Sequence, residues 1–266
     1  LLTLEPADRA FGPAVRDDPD EAPRPVEDIG PIATSLPEFP AIELPAGVVI
    51  ANELLDNLPF RLVERSSAGW TEVRVGLAPD GFAEVAVPAS PEVVEAADDV
   101  AAGATIPAGA RLPVPTATVD WLDECAHLMR RGFVVVIDYA DAAASIAARP
   151  QKEWLRTYRS HQRGDTPLAA PGAQDVTSTL PAEHLVAHAA RAGFRLVEHT
   201  SQAAWLAVLG IDELVDDARG LWRERAAVAD LEALAARSRV TEAAALTDPS
   251  GLGAHHVFVF GKGMRI

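Results

Sequence analysis

The chain has one cysteine, Cys125, so it can form neither an internal disulfide nor a zinc site built on several thiolates. That shortage points to a reducing compartment, and the cytoplasm is the expected location. Basic residues are scarce beside acidic ones: 23 Lys and Arg against 39 Asp and Glu leave a net charge of -16. Such a surface repels phosphate backbones and anionic lipid, which argues against nucleic acid or a membrane as the main partner. A cationic ligand or a basic protein segment suits it better, although solubility alone also explains an acidic chain. No apolar run is long enough to cross a bilayer, and the opening LLTLEPADRA lacks the basic n-region of a signal peptide. His184 and His188 stand four apart with no HExxH around them, and no P-loop, G-x-G-x-x-G or G-x-S-x-G elbow occurs. Zinc-protease, phosphate-loop and serine-hydrolase chemistries thereby lose their most specific markers.

What is present suits a globular α/β fold. At 266 residues, 48% apolar and 23% charged, the chain can bury a full core. Leu1 to Leu4 begins as a strand already in progress, without an initiator Met. Asp17 to Pro45, rich in Pro and acids, reads as loop with one short strand near Pro31 to Leu36. Val48 to Ala51 reads as a buried parallel strand. Period-two alternation in Arg61 to Arg65, Trp70 to Leu77 and Phe82 to Val87, separated by turn-type clusters, predicts an inserted antiparallel meander. Helices are expected over Glu92 to Ala102, Thr118 to Arg131 with Gly132 as its terminator, Pro181 to Ala192 with Thr179 or its neighbours as N-cap and Gly193 as terminator, Gln202 to Leu209, and Asp212 to Ala236. Phe133 to Ile137, Phe194 to Glu198 and His255 to Phe260 read as strands. Thr105 to Pro115 reads as a link, and Asp141 to Asp175 as a long irregular segment of the kind that is usually functional or disordered.

Ligands in α/β sheets sit beyond the carboxyl ends of the parallel strands. Those ends here carry Glu5, Asn52-Glu53 and Asp138-Tyr139. Glu5 could accept hydrogen bonds from a ribose diol, or be an ordinary turn acid before Pro6. Asn52, Glu53 and Asp56 admit two readings. If Leu54 starts a helix, the acids complement its N-terminus. Otherwise they project into a cleft where a carboxylate could hold a guanidinium or an amine. Cys125 falls within the apolar stripe of its helix and reads as a buried, inert thiol.

Several blocks together resemble a known family. IANELLDNLPFRLV is similar to a strand-end "ANE-x-x-D-x-x-P" motif, and GWTEVRV to the strand that follows it. RGFVVVIDYA resembles "G-x-x-x-x-I-D-Y-G", with Ala140 where glycine is usual. TYRSHQRGDTPLAAPGAQDVTS, SQAAWLAVLGI and LTDPSGLGAHHVFVFGKG follow in the family's order, from about Val48 to Gly263. The chain is identified by these blocks as a member of the MidA-like family of S-adenosylmethionine-dependent methyltransferases, which includes a mitochondrial complex I assembly factor with protein arginine methyltransferase activity.

The resemblance implies a Rossmann-like class I methyltransferase sheet with a last antiparallel strand. Residues 1–266 would be a single methyltransferase domain, N-terminally incomplete, with an inserted meander at 60–88 and a family-specific loop at 150–178. The cofactor would be S-adenosyl-L-methionine, with Glu5 and Asn52 binding it. Asn52, Glu53 and Asp56 would be the catalytic group, and Glu53, Tyr139, Tyr158 and His161 would face the substrate. No metal is implied. The expected partner is a protein substrate with a basic side chain, and a homodimer is the candidate assembly. The family's first strand and glycine-rich cofactor loop would precede Leu1, so a fragment of a longer protein is expected. A catalytically inactive scaffold that binds a basic partner segment is the competing function.

Overall fold

The computed structural model describes residues 2–4, 34–36, 38–79, 81–159, 162–164 and 166–264. In chain order the elements are β1 (Leu2–Leu4), β2 (Thr34–Leu36), β3 (Gly47–Asn52), β4 (Arg61–Ser66), β5 (Gly69–Ala78), β6 (Gly81–Pro88), α1 (Pro91–Ala101), β7 (Arg111–Val114), α2 (Thr116–Leu128), β8 (Gly132–Asp138) and β9 (Ala140–Asp141). There follow α3 (Ala143–Ala148), α4 (Gln151–Trp154), β10 (Leu155–Arg159), β11 (Gln162–Arg163), β12 (Asp175–Ser178), β13 (Leu180–Pro181), α5 (Ala182–Arg191), β14 (Arg195–Ser201), α6 (Gln202–Val208), α7 (Ile211–Arg225), α8 (Leu231–Thr247) and β15 (His256–Lys262).

The central mixed sheet runs β14-β15-β8-β3, with β3 parallel to β8 and β15 antiparallel to both of its neighbours. Alternation along each strand sorts its side chains. Ala51, Val134, Val136, Phe258 and Phe260 meet Leu122, Cys125 and Met129, together with Leu185 and Ala189 of α5, in the main core. Val135, Ile137 and Val257 point the other way and pack with Trp205 of α6. On that second face Val48 and Ile50 of β3 are 61% and 66% exposed. Among the described residues β3 stands at the edge of the sheet.

The alternating segments form the expected antiparallel strands, with Val73 opposite both Leu62 and Ala86. The Thr105 to Pro115 link supplies a fourth strand, β7, which pairs with β4. Proline in the middle of RLPV hid it, because Pro removes a ladder donor and is tolerated only where no donor is needed. This sheet closes over α1 and α3 in a second core containing Val63, Val100, Leu112, Ile146 and Trp154. The Asp141 to Asp175 stretch is more ordered than its composition suggests: α3, α4, β10 and β11 lie within it, and β10 is flanked by β11 and β12 in a small antiparallel sheet. The expected helix over Asp212 to Ala236 is two, α7 and α8, broken near Ala229 at φ 51. Of Thr179 and its neighbours, Pro181 occupies the N-cap of α5, without a side-chain cap bond.

Gly132 does not terminate α2, which ends at Leu128. It opens β8 at φ +140, where a Cβ would lie 1.8 Å from the Gly47 carbonyl oxygen. A side chain there would force β3 and β8 apart at the start of their pairing. Gly132→Ala is expected to destabilise the chain by about 3 kcal/mol. Gly220→Ala on α7, where an added Cβ would meet no atom of another element within 4 Å among the described residues, should be neutral or slightly stabilising. Thermal melts of the two variants check this, and equal midpoints would remove the close-approach argument.

Candidate functional site

The tips of β3 and β8 lie side by side, with Asn52 opposite Ile137. β3 ends at Asn52, and the chain turns through Glu53 in the left-handed region at φ 47. Glu53 N donates to Ile137 O at 2.9 Å, so the turn stays joined to β8. A 3-10 turn, Leu55–Asn57, follows. Its residue at the cap position is Leu54, without a side-chain cap bond, so neither Asn52 nor Glu53 caps a helix. The acceptor for the turn comes from 82 to 83 residues away. Leu55 N and Asp56 N donate to Asp138 Oδ2 at 2.9 and 3.3 Å, while Tyr139 N donates to Asp138 Oδ1 at 2.8 Å. Asp138 is fully buried. It satisfies backbone donors that would otherwise be orphaned at the start of the turn.

Asp56, 2% exposed, lies in that turn, and its Oδ1 accepts from Asn57 Nδ2 at 2.7 Å. Burial, reinforced by the Glu53 charge, pushes its carboxyl up to about 6. Burial, reinforced by Asp56, pushes Asp138 up to about 7. The two acids titrate as a pair that carries less than its full double charge near neutral pH.

Around the tip the fold gathers residues that the sequence scatters. Tyr139 meets His255 edge-on with ring centroids 4.2 Å apart. The Arg156 guanidinium, from β10, lies 4.9 Å over the Tyr139 ring, a cation–π contact. Tyr158 is two residues further along β10. Burial raises the Tyr139 hydroxyl, with Glu53 and Tyr158 adding to the rise and Arg156 opposing it. Burial lowers His255, and the Glu53 charge opposes that. His255 is 3% exposed, and among the described residues its Nδ1 has no hydrogen-bond partner.

Asn52 and Glu53 are exposed at the tip, and Asp56 is buried beneath them. Tyr139 and Tyr158 are half-buried beside them, so these five expected residues come together. Glu5 and His161 lie outside the described residues. Asp138, Arg156 and His255 were not among the expected site residues. For Asp138 the strand-end acid in FVVVID was the available signal; Arg156 and His255 offer none locally. Cys125 is buried, its thiol raised by burial. Among the described residues no group of three or more His, Cys, Asp or Glu is placed to hold a metal, and no helix is long and apolar enough to cross a membrane.

Residues 31–200 match the family model described as "Putative S-adenosyl-L-methionine-dependent methyltransferase". Two solved structures from Burkholderia thailandensis share the fold at a TM-score of 0.70 each. One, described as a methyl transferase candidate, contains S-adenosyl-homocysteine; it is 24% identical, and the match covers 88% of this chain and 57% of that one. The other, a native crystal structure of an uncharacterised protein, is 25% identical, with 88% and 59% covered. The chain thus spans less than two thirds of the length of either structure. No curated protein matches it.

Asp138→Ala leaves three backbone N–H groups without their acceptor and is expected to cost on the order of 3 kcal/mol in urea unfolding. The pH dependence has a defined sign. Both acids titrate above the ordinary value of 3.8 in the folded chain, so between about pH 4 and about pH 7 the native state holds protons that the unfolded chain has lost. Their contribution to stability is present at the acid end and is lost as pH rises through that window. His184, lowered to about 4, contributes in the opposite direction, so the readout is a difference between proteins. Relative to wild type, Asp138→Asn should gain stability as pH rises from about 4 to about 7. A flat difference would refute the raised titration.

Proposed function

The chain belongs to the family of Putative S-adenosyl-L-methionine-dependent methyltransferases, and on that premise we propose that it transfers a methyl group from S-adenosyl-L-methionine to an arginine side chain of a protein. The observation that carries the substrate class is the guanidinium already at the strand tip: Arg156 lies 4.9 Å over Tyr139, and its charge reaches Asp56. A notch of acids and aromatic rings that accommodates one guanidinium has the chemistry to accommodate another. The net charge of -16 favours approach of a basic protein segment.

The residues at the tip fit the methyl-donor group. Asn52 places an exposed amide at the end of β3 beside the turn, and Glu53 places an exposed carboxylate next to it. In this reading Asn52, with Glu5, would hold the cofactor. When bound, the cofactor supplies an electrophilic methyl carbon on a sulfonium. Glu53 would orient the guanidinium by charge-assisted hydrogen bonds and turn a nitrogen toward the methyl. Asp56, protonated for part of the neutral range, would limit repulsion beneath Glu53. Tyr139, Tyr158 and His161 would wall the substrate side. Positioning and water exclusion account for most of what such a transfer needs from a protein. The sheet β14-β15-β8-β3 would be one half of a Rossmann-like methyltransferase sheet of the MidA-like kind, in a cytoplasmic enzyme that could pair as a homodimer.

The full-length protein containing this chain is expected to bind S-adenosyl-L-methionine by calorimetry. Glu53→Gln should leave that binding unchanged while lowering methylation of an arginine-containing substrate by about 100-fold. No binding at millimolar cofactor would overturn the methyltransferase reading and favour the partner-binding scaffold. Unchanged methylation by Glu53→Gln would overturn the role given to Glu53 alone.

A further inference from the structure

One short segment departs from the charge of the rest of the chain. Between Arg149 and Arg163 stand Arg149, Lys152, Arg156, Arg159 and Arg163 against Glu153 as the one acid, in a chain whose net charge is -16. Arg149 is engaged, with Asp141 Oδ2 at 2.7 Å. Arg159 follows on the other face of β10 from Arg156 and Tyr158. Register brings two of the others together. Arg163 of β11 stands directly opposite Tyr158, so it shares the face of β10 that carries Tyr158 and Arg156.

Both guanidiniums are anchored at the end of α4. Arg156 Nε donates to Glu153 O at 3.1 Å, and Arg163 Nη2 donates to Lys152 O. Those two carbonyls are consecutive, so the cations sit side by side where solvent reaches them, Arg163 exposed and Arg156 half-buried. Like charges held this close repel each other. The carbonyl dipoles relieve part of that repulsion, and a carboxylate would relieve more. Among the described residues neither guanidinium has one: Glu153, in the same turn, and Asp175, opposite Tyr158 on β12, form no salt bridge. Elsewhere the chain does supply such partners, since Arg61, Arg74 and Arg111 of the meander sheet each pair with a glutamate.

We propose that Arg156 and Arg163 form a clamp for a carboxylate side chain of the substrate segment. The clamp rests on the methyltransferase reading given above and names what that site would select: an arginine with a glutamate or aspartate near it. Arg156 is also the residue stacked 4.9 Å over Tyr139, so the clamp adjoins the strand tip. A planar guanidinium offers paired N–H donors that match the two oxygens of a carboxylate. A long polyanion such as nucleic acid suits the place less well, because the acidic surface beyond the clamp repels it. A single carboxylate stays within a screening length of both cations.

The test uses two fluorescent peptides, one with an arginine flanked by glutamates and one with glutamines in their place. Binding to the full-length protein containing this chain is read by anisotropy, which needs no methyl transfer. Wild type should bind the glutamate peptide about tenfold more tightly, a difference of roughly 1.4 kcal/mol. Arg163→Gln should reduce that preference to within about twofold, and Arg163→Lys should retain part of it. Arg239→Gln, which removes an exposed cation of α8, should leave it unchanged. Equal affinities for the two peptides in wild type, or equal loss of preference in Arg163→Gln and Arg239→Gln, would overturn the clamp. So would a parallel weakening of S-adenosyl-homocysteine in Arg163→Gln, because the carboxylate held would then be the cofactor's. Stronger binding of a single-stranded RNA oligomer than of the glutamate peptide would overturn it too. A glutamate preference without any methylation would leave the clamp standing and overturn the methyltransferase reading alone.

Discussion

The carboxylate of Asp138 ties the two strand tips into one object. It lies at the end of β8, a largely buried strand, accepts from its own neighbour Tyr139, and reaches across to the first N–H groups of the turn after β3. Without that acceptor, the turn that follows Glu53 would present unpaired donors to a buried space, and the φ of 47 at Glu53 would have little to hold it. An acid in this place is costly to ionise, as its raised titration records, yet it satisfies three donors at once. The exposed Asn52 and Glu53 above are held by the buried acid below.

Two packing arrangements deliver the other side chains to that object. The parallel pairing of β3 and β8 begins where Gly132 lets the strands approach, and five residue pairs later it delivers Asn52 opposite Ile137. The second core, built by the meander sheet with α1 and α3, fixes Trp154 and Leu155 in the interior. Arg156 and Tyr158 follow directly in β10 and so arrive beside Tyr139. The chain after α8 brings His255 against the same ring. Three separated segments, the end of β8, β10 and the chain after α8, meet in one cation-and-aromatic cluster.

Periodicity and turn chemistry made most elements legible. The β3 and β8 runs, the three meander strands and α2 fall where alternation or helical spacing places them, because those patterns follow directly from which face is buried. Reading failed where a residue's role is set by a distant neighbour. Gly132 looks like a helix terminator, but it serves the approach of Gly47. RLPV looks like a link, but β4 pairs with it. Asp141 to Asp175 looks irregular because its strands are short and its sheet is small, so polar residues on the exposed side outweigh the buried ones.

For the site, local residues established the presence of Asn52, Glu53 and Asp56 at a strand end, since a buried run must stop before polar groups begin. They could not decide between a helix cap and an exposed cluster. Tertiary structure decided it, because the competing acceptor for the turn, Asp138, is more than 80 residues away in sequence and a hydrogen bond apart in space. It also decided that Asp56 is buried while Glu53 is open, and that Arg156, Tyr139 and His255 share one contact cluster. Burial and long-range pairing are properties of the packed chain, and no stretch of sequence holds them by itself.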